Sequence, residues 1–216
     1  MMESIDITGR ELTNRRLGVL ISGRGSNLQA IIDAIREGRL DATIAVVISN
    51  REDAKGLQRA REAGIETLVL SHRGYADRAE YDRLVVQELR KRGVRLVCLA
   101  GFMRLLGPAF VDAFPNAILN IHPSLLPAFP GVDAQHQAWE HGVQVSGATV
   151  HFVTADLDAG PIIAQEAVRV TSDDTPDTLA ARILIAEHHL YPDAIQRVLN
   201  GNWRLDGRRV VSPVSA

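Results

Sequence analysis

The chain has 216 residues, 46% of them hydrophobic and 23% charged, with 24 Lys and Arg against 26 Asp and Glu. This size and balance describe one globular domain, and a net charge of −2 speaks against a protein built chiefly to grip nucleic acid. The longest apolar run, residues 96–103, is far short of the roughly 20 residues that a bilayer span needs, and a lone Cys98 excludes an internal disulfide framework or a multi-thiolate metal site.

Residues 1–15 are polar and acidic early, unlike a signal or transit peptide, so they are expected to be a flexible tail on a cytoplasmic protein. The run Leu17-Gly18-Val19-Leu20-Ile21 reads as a strand, and Ser22-Gly23-Arg24-Gly25-Ser26-Asn27 as the glycine-rich turn after it. Leu28, Ile31, Ile32 and Ile35 then recur at helical spacing up to Gly38. Strands are expected over 42–48, 66–70, 94–100 and 117–121, with helices over 54–63, 75–92 and 108–113 between them. Past residue 140 the rhythm changes. Residues 143–154 and 161–170 read as two long strands with no helix between, hence antiparallel neighbours, and a helix follows over 175–199. The fold expected is α/β: a single domain over 16–207, with a Rossmann-like, mostly parallel sheet covered by helices on both faces and antiparallel strands added in the C-terminal half. Residues 208–216 are left as a second tail.

Three features carry chemistry. The glycine loop at a strand-to-helix junction suits a phosphate, because free amides and the positive helix end face it. It is neither a Walker loop, lacking Lys-Ser/Thr, nor a full dinucleotide fingerprint, since Leu28 stands where the third glycine belongs. Read alone it is a tight turn that needs glycine. Asn120 and His122 alternate onto one side of a strand end, where an amide and an imidazole can stabilise an oxyanion. By itself Asn-x-His is a turn cap beside a surface ring. Asp158 sits in Asp-Ala-Gly-Pro turn chemistry and becomes functional only beside His122, whose pKa its charge is expected to raise. The other histidines show no metal spacing, so no metal is expected, and Cys98 reads as core.

Taken together, residues 20–31, Leu99-Ala100-Gly101-Phe102-Met103-Arg104-Leu105-Leu106 and Leu119-Asn120-Ile121-His122-Pro123-Ser124-Leu125-Leu126-Pro127 resemble the phosphoribosylglycinamide formyltransferase family, from about Leu17 to Gly207. The His-Pro-Ser-Leu-Leu-Pro segment is common to enzymes that use formyltetrahydrofolate, and the Gly-x-Gly-Ser-Asn start narrows the match. The resemblance implies transfer of a formyl group from 10-formyltetrahydrofolate, a co-substrate, to the amine of glycinamide ribonucleotide in purine biosynthesis. It implies Asn120, His122 and Asp158 as the catalytic set and Gly25, Ser26, Asn27 and Glu187 as the ribonucleotide site. Arg78, Met103, Arg104, Leu105, Leu106, Asn120, Thr154 and Asp158 would line the folate site. Alone, Arg78 reads as a solvated helix residue and Met103 as core. One departure stands out: Leu184 lies three residues before Glu187, where the family carries a polar or basic side chain, and Arg24 is the candidate to supply the missing charge.

The rival readings are a formyltetrahydrofolate hydrolase, a methionyl-tRNA formyltransferase, a non-catalytic sugar-phosphate sensor, and an NADP-dependent reductase resting on the glycine loop and Arg51. The hydrolase family carries an N-terminal regulatory domain and the tRNA enzyme a C-terminal RNA-binding domain, and this sequence provides space for neither. A sensor has no use for Asn120, His122 and Asp158 together. The partners expected are small molecules, with no nucleic acid and no membrane, and the state a monomer or a homodimer.

Overall fold

The computed structural model describes residues 12–73, 75 and 77–212. A nine-stranded sheet runs in the order β3-β2-β1-β4-β5-β6-β7-β9-β8. Its first half comprises β1 (Arg16–Ile21), β2 (Thr43–Ser49), β3 (Thr67–Val69), β4 (Leu96–Leu99) and β5 (Ile118–His122). All of these pair in parallel. Between them run α1 (Ser26–Arg36), α2 (Gly56–Glu62), α3 (Arg78–Lys91) and α4 (Pro108–Ala113). β1 is buried from Leu17 onward and β4 throughout, because helices cover both faces, so neither strand alternates.

From β5 the sheet changes character. β6 (Val145–Phe152) pairs antiparallel with β5, and β7 (Ile162–Arg169) antiparallel with β6. The alternating burial along β7 marks a strand with one solvated face. α6 (Pro176–Leu199) starts with Pro176 behind a capping box, in which Thr175 and Thr178 exchange side-chain to backbone bonds. It packs against α1, β6 and β7. Tyr191 on α6 places its hydroxyl 3.0 Å from the Leu99 carbonyl and 3.1 Å from that of Leu119, tying the helix to β4 and β5.

Two expectations change. Residues 208–216 begin not as a tail but with β9 (Arg209–Val211), which pairs with β7 and forms a hairpin with β8 (Arg204–Asp206). A short helix, α5 (Ala134–Glu140), fills a stretch to which the sequence assigns no element. Both elements are half exposed and lack the apolar periodicity that would have announced them. Within the expected N-terminal tail, Leu12 is buried and its N–H donates to the Leu199 carbonyl. Residues 1–11 and 213–216 lie outside the described residues.

The strand order reverses between β1 and β4. In open α/β sheets that is where the loops leaving the carboxyl ends diverge and a ligand crevice forms. Here the two loops are stitched together: Ser22 N–H donates to the Gly101 carbonyl at 3.0 Å, and Met103 N–H to Ser22 Oγ at 2.8 Å.

Candidate active site

The glycine loop leads from β1 into α1. Gly25, the residue before the helix, has φ 70°, and no side chain caps the first turn. A Cβ at position 25 would lie 2.5 Å from the Gly56 Cα at the start of α2, so conformation and contact both require glycine. Asn27, on the first turn, is buried and donates from Nδ2 to Glu187 Oε2 at 2.8 Å, while its Oδ1 has no partner among the described residues. Burial pushes the Glu187 carboxyl above the usual range; the Asn27 amide and the nearby Arg24 charge oppose that only in part. The structure thus unites Gly25, Ser26, Asn27 and Glu187, and it brings Arg24 close enough for its charge to act on Glu187. Leu184, one turn before Glu187 on α6, offers no polar atom there.

The second cluster is built by strand register. In the β5–β6 pairing Asn120 faces His151, and His122 faces Thr149. Asn120 Nδ2 lies 3.2 Å from His151 Nε2, and His151 Nδ1 lies 2.9 Å from the Phe152 carbonyl. With the proton on Nδ1, His151 accepts from the Asn120 amide and so orients it. Asp158 comes from the loop between β6 and β7 with φ 48°. Its Oδ2 is 3.4 Å from His122 Nδ1, and its Oδ1 is 3.6 Å from His151 Nε2. Asn120, His122 and Asp158 therefore meet. His151 joins them, and only the antiparallel pairing of β5 with β6 reveals it.

The expected pKa of His122 needs correction. Burial holds the imidazole below its ordinary value and outweighs the Phe129 carbonyl and the Asp158 charge, both of which raise it, while His151 lowers it further. Asp158 does push in the expected direction, but a ring only 4% exposed loses more by desolvation. Burial would likewise raise Asp158; the close approach of His151, the Gly131 N–H and the His122 charge instead keep its carboxyl below the usual range. The pair is thus ionised Asp158 beside neutral His122 at neutral pH.

On the far side of β4, Met103 and Leu105 are exposed, at 71% and 52%, rather than core. The Arg104 guanidinium lies 4.6 Å from the Tyr81 ring centroid, and Asp82, 1% exposed, accepts from the Gly107 N–H at 2.7 Å. Burial raises the Asp82 carboxyl, against the Gly107 N–H and the charges of Arg104 and Arg78. Arg78, Arg104 and Gly107 are thereby gathered around one buried carboxylate. Thr154 lies in the Asp158 loop, its Oγ1 3.4 Å from the Asp156 carbonyl. Arg51, the reductase's support, is bound through two hydrogen bonds to Asp53. Cys98 is core, and burial pushes its thiol up to about 12. Among the described residues no helix is long and apolar enough to cross a membrane, and no three His, Cys, Asp or Glu side chains gather to hold a metal.

Residues 15–195 match the family described as formyl transferase. The chain belongs to that family. Phosphoribosylglycinamide formyltransferase of Escherichia coli is 47% identical over 190 residues, covering 88% of this chain and 87% of the relative. The human trifunctional purine biosynthetic protein adenosine-3 is 47% identical over 95% of this chain, which spans only 22% of that longer protein. Among solved structures, glycinamide ribonucleotide transformylase 1 from Symbiobacterium toebii superposes with a TM-score of 0.90 at 54% identity, covering 94% of this formyl transferase and 98% of the other chain.

Proposed function

We propose that this formyl transferase moves the formyl group of 10-formyltetrahydrofolate onto the amine of glycinamide ribonucleotide. The observation that carries this is the meeting of Asn120, His122 and Asp158 at one end of β5, in the same sheet whose switch point holds the glycine loop. The ribonucleotide phosphate is received by Gly25, Ser26 and Asn27 on the first turn of α1, and Glu187 accepts from the ribose or glycine portion. Arg78 and residues 103–106 line the folate side, with residues 154–158 over the pterin.

The amine nitrogen attacks the formyl carbon, and the carbonyl oxygen takes the electron pair as an oxyanion. The Asn120 amide, oriented by His151, donates to that oxygen. The attacking nitrogen then sheds a proton. Neutral His122, backed by the Asp158 carboxylate, takes it, and Asp158 stabilises the imidazolium so formed. The same proton passes, through water, to the folate nitrogen as the carbon–nitrogen bond to folate breaks. A lowered histidine pKa suits this role, since the ring must begin unprotonated near neutral pH.

The test is to mix protein with 10-formyltetrahydrofolate and follow release of the deformylated folate by absorbance, with and without glycinamide ribonucleotide. Release that depends on the ribonucleotide is expected. Release without it points to the hydrolase, and no release under either condition overturns the assignment.

A further inference from the structure

The loop that follows β5 reaches both members of the His122–Asp158 pair through its backbone. The Phe129 carbonyl lies 2.8 Å from His122 Nε2, and the Gly131 N–H donates to Asp158 Oδ2 at 2.8 Å. Both contacts depend on unusual backbone: Phe129 has φ 53°, Gly131 φ 85° and Asp133 φ 58°, opposite an Asp158 at φ 48°. Left-handed conformations at three residues other than glycine carry strain, and such strain persists where the surroundings over-determine it. At Gly131 crowding is not the reason for glycine. A Cβ there would meet only Leu157 Cδ2, at 3.8 Å, which is ordinary contact. The conformation is what needs glycine, and the conformation is what aims the N–H at Asp158.

We propose that the turn at residues 129–131 is a positioning device for the reaction, its Gly131 N–H fixing the Asp158 carboxylate and its Phe129 carbonyl fixing the ring of His122. This rests on the catalytic roles proposed above. With Nε2–H held by the Phe129 carbonyl, the neutral ring keeps its lone pair on Nδ1, the atom facing Asp158, which is where a proton from the substrate amine is received. With one oxygen of Asp158 held by Gly131, the carboxylate stays beside that atom. The titratable groups facing Asp158 are His122 on β5 and His151 on β6. The loop bearing Gly131 faces it with an uncharged N–H, whose effect is independent of pH.

Two measurements test this. In the wild-type protein the Gly131 amide proton resonance should follow the ionisation of Asp158, with the same midpoint as the ¹³C signal of its carboxyl carbon. Replacing the peptide link between Pro130 and Gly131 by an ester deletes the donor while leaving the backbone free to adopt its φ. The Asp158 midpoint should then rise by about one pH unit, the scale of one hydrogen bond to a charged group, and kcat should fall about tenfold with both KM values unchanged within about twofold. A turn that merely supports the fold would lower melting temperature and both affinities without moving that midpoint. A Gly131 resonance indifferent to Asp158, or an unmoved midpoint in the ester variant, overturns the proposal. Full activity in Asp158→Asn would instead overturn the catalytic assignment beneath it, so the two failures are distinguishable.

Discussion

Glu187, buried, and Asp158, half-buried, are both carboxylates at the proposed site, yet one is pushed above the usual range and the other is held below it. Among the described residues Glu187 accepts from the Asn27 amide and feels a more distant Arg24 charge, and desolvation wins. Asp158 is less deeply buried, and the Gly131 N–H donates to one of its oxygens with His122 and His151 beside it, so desolvation loses. The difference lies in depth as well as in the groups that meet each carboxylate. It suits the two tasks proposed above, in which Asp158 stays charged to stabilise an imidazolium and Glu187 accepts from a neutral ligand.

The largest expected effect comes from taking the charge from the second carboxylate. Asp158→Asn should cut kcat by on the order of 10²-fold or more while sparing both affinities, read by single-turnover rates beside calorimetry. Because the Asp158 charge raises the His122 pKa, the variant should show His122 titrating lower still by NMR. A rate that survives, with the ring unmoved, would make Asp158 a turn residue only.

Gly25→Val attacks the phosphate side of the comparison. With φ 70° and a Cβ placed 2.5 Å from Gly56 Cα, the loop must shift, and ribonucleotide affinity should fall on the order of tenfold or more. Folate affinity should change little; equal losses for both ligands would mean general unfolding.

Glu187→Gln keeps the shape and the Asn27 contact. A carboxyl with a raised folded pKa stabilises the fold fully below its unfolded pKa, and that contribution is lost as pH rises through the folded value. The glutamine variant lacks this loss. At neutral pH it should melt a few degrees higher than wild type, although its ribonucleotide KM should increase. A variant that melts lower at neutral pH would show that Glu187 is not penalised by burial.

Arg24→Ala is the smallest step. If Arg24 stands in for the polar group missing at Leu184, KM for the ribonucleotide should rise about threefold at low salt, and less at high salt, because exposed charges are screened. An unchanged KM at low salt would leave Leu184 without compensation.

The parallel half of the sheet was legible because its strands, covered on both faces, are continuous apolar runs punctuated by glycine. The loop at Gly25 and the pair Asn120 and His122 were legible for a related reason: strand ends and alternation are local. What escaped depends on pairing. His151 lies 31 residues beyond Asn120, and nothing in its own neighbourhood says that β6 runs antiparallel beside β5. Asp82, in Tyr81-Asp82-Arg83, is buried and accepts from the Gly107 N–H, a partner 25 residues away. The direction of the His122 pKa is not legible in sequence, because a neighbouring charge is visible there and the depth of burial is not.

The hydrogen bond from Asn27 to Glu187 spans 160 residues, nearly the whole described chain. Closing so long a loop is entropically slow, and contacts of large sequence separation delay folding. During synthesis the glycine loop and the first parallel strands leave the ribosome long before α6 exists, so the half-made protein lacks the Asn27–Glu187 pair of the proposed ribonucleotide site. Ligand present in the cell therefore cannot template the early sheet; it stabilises only the finished chain, by mass action on the native state.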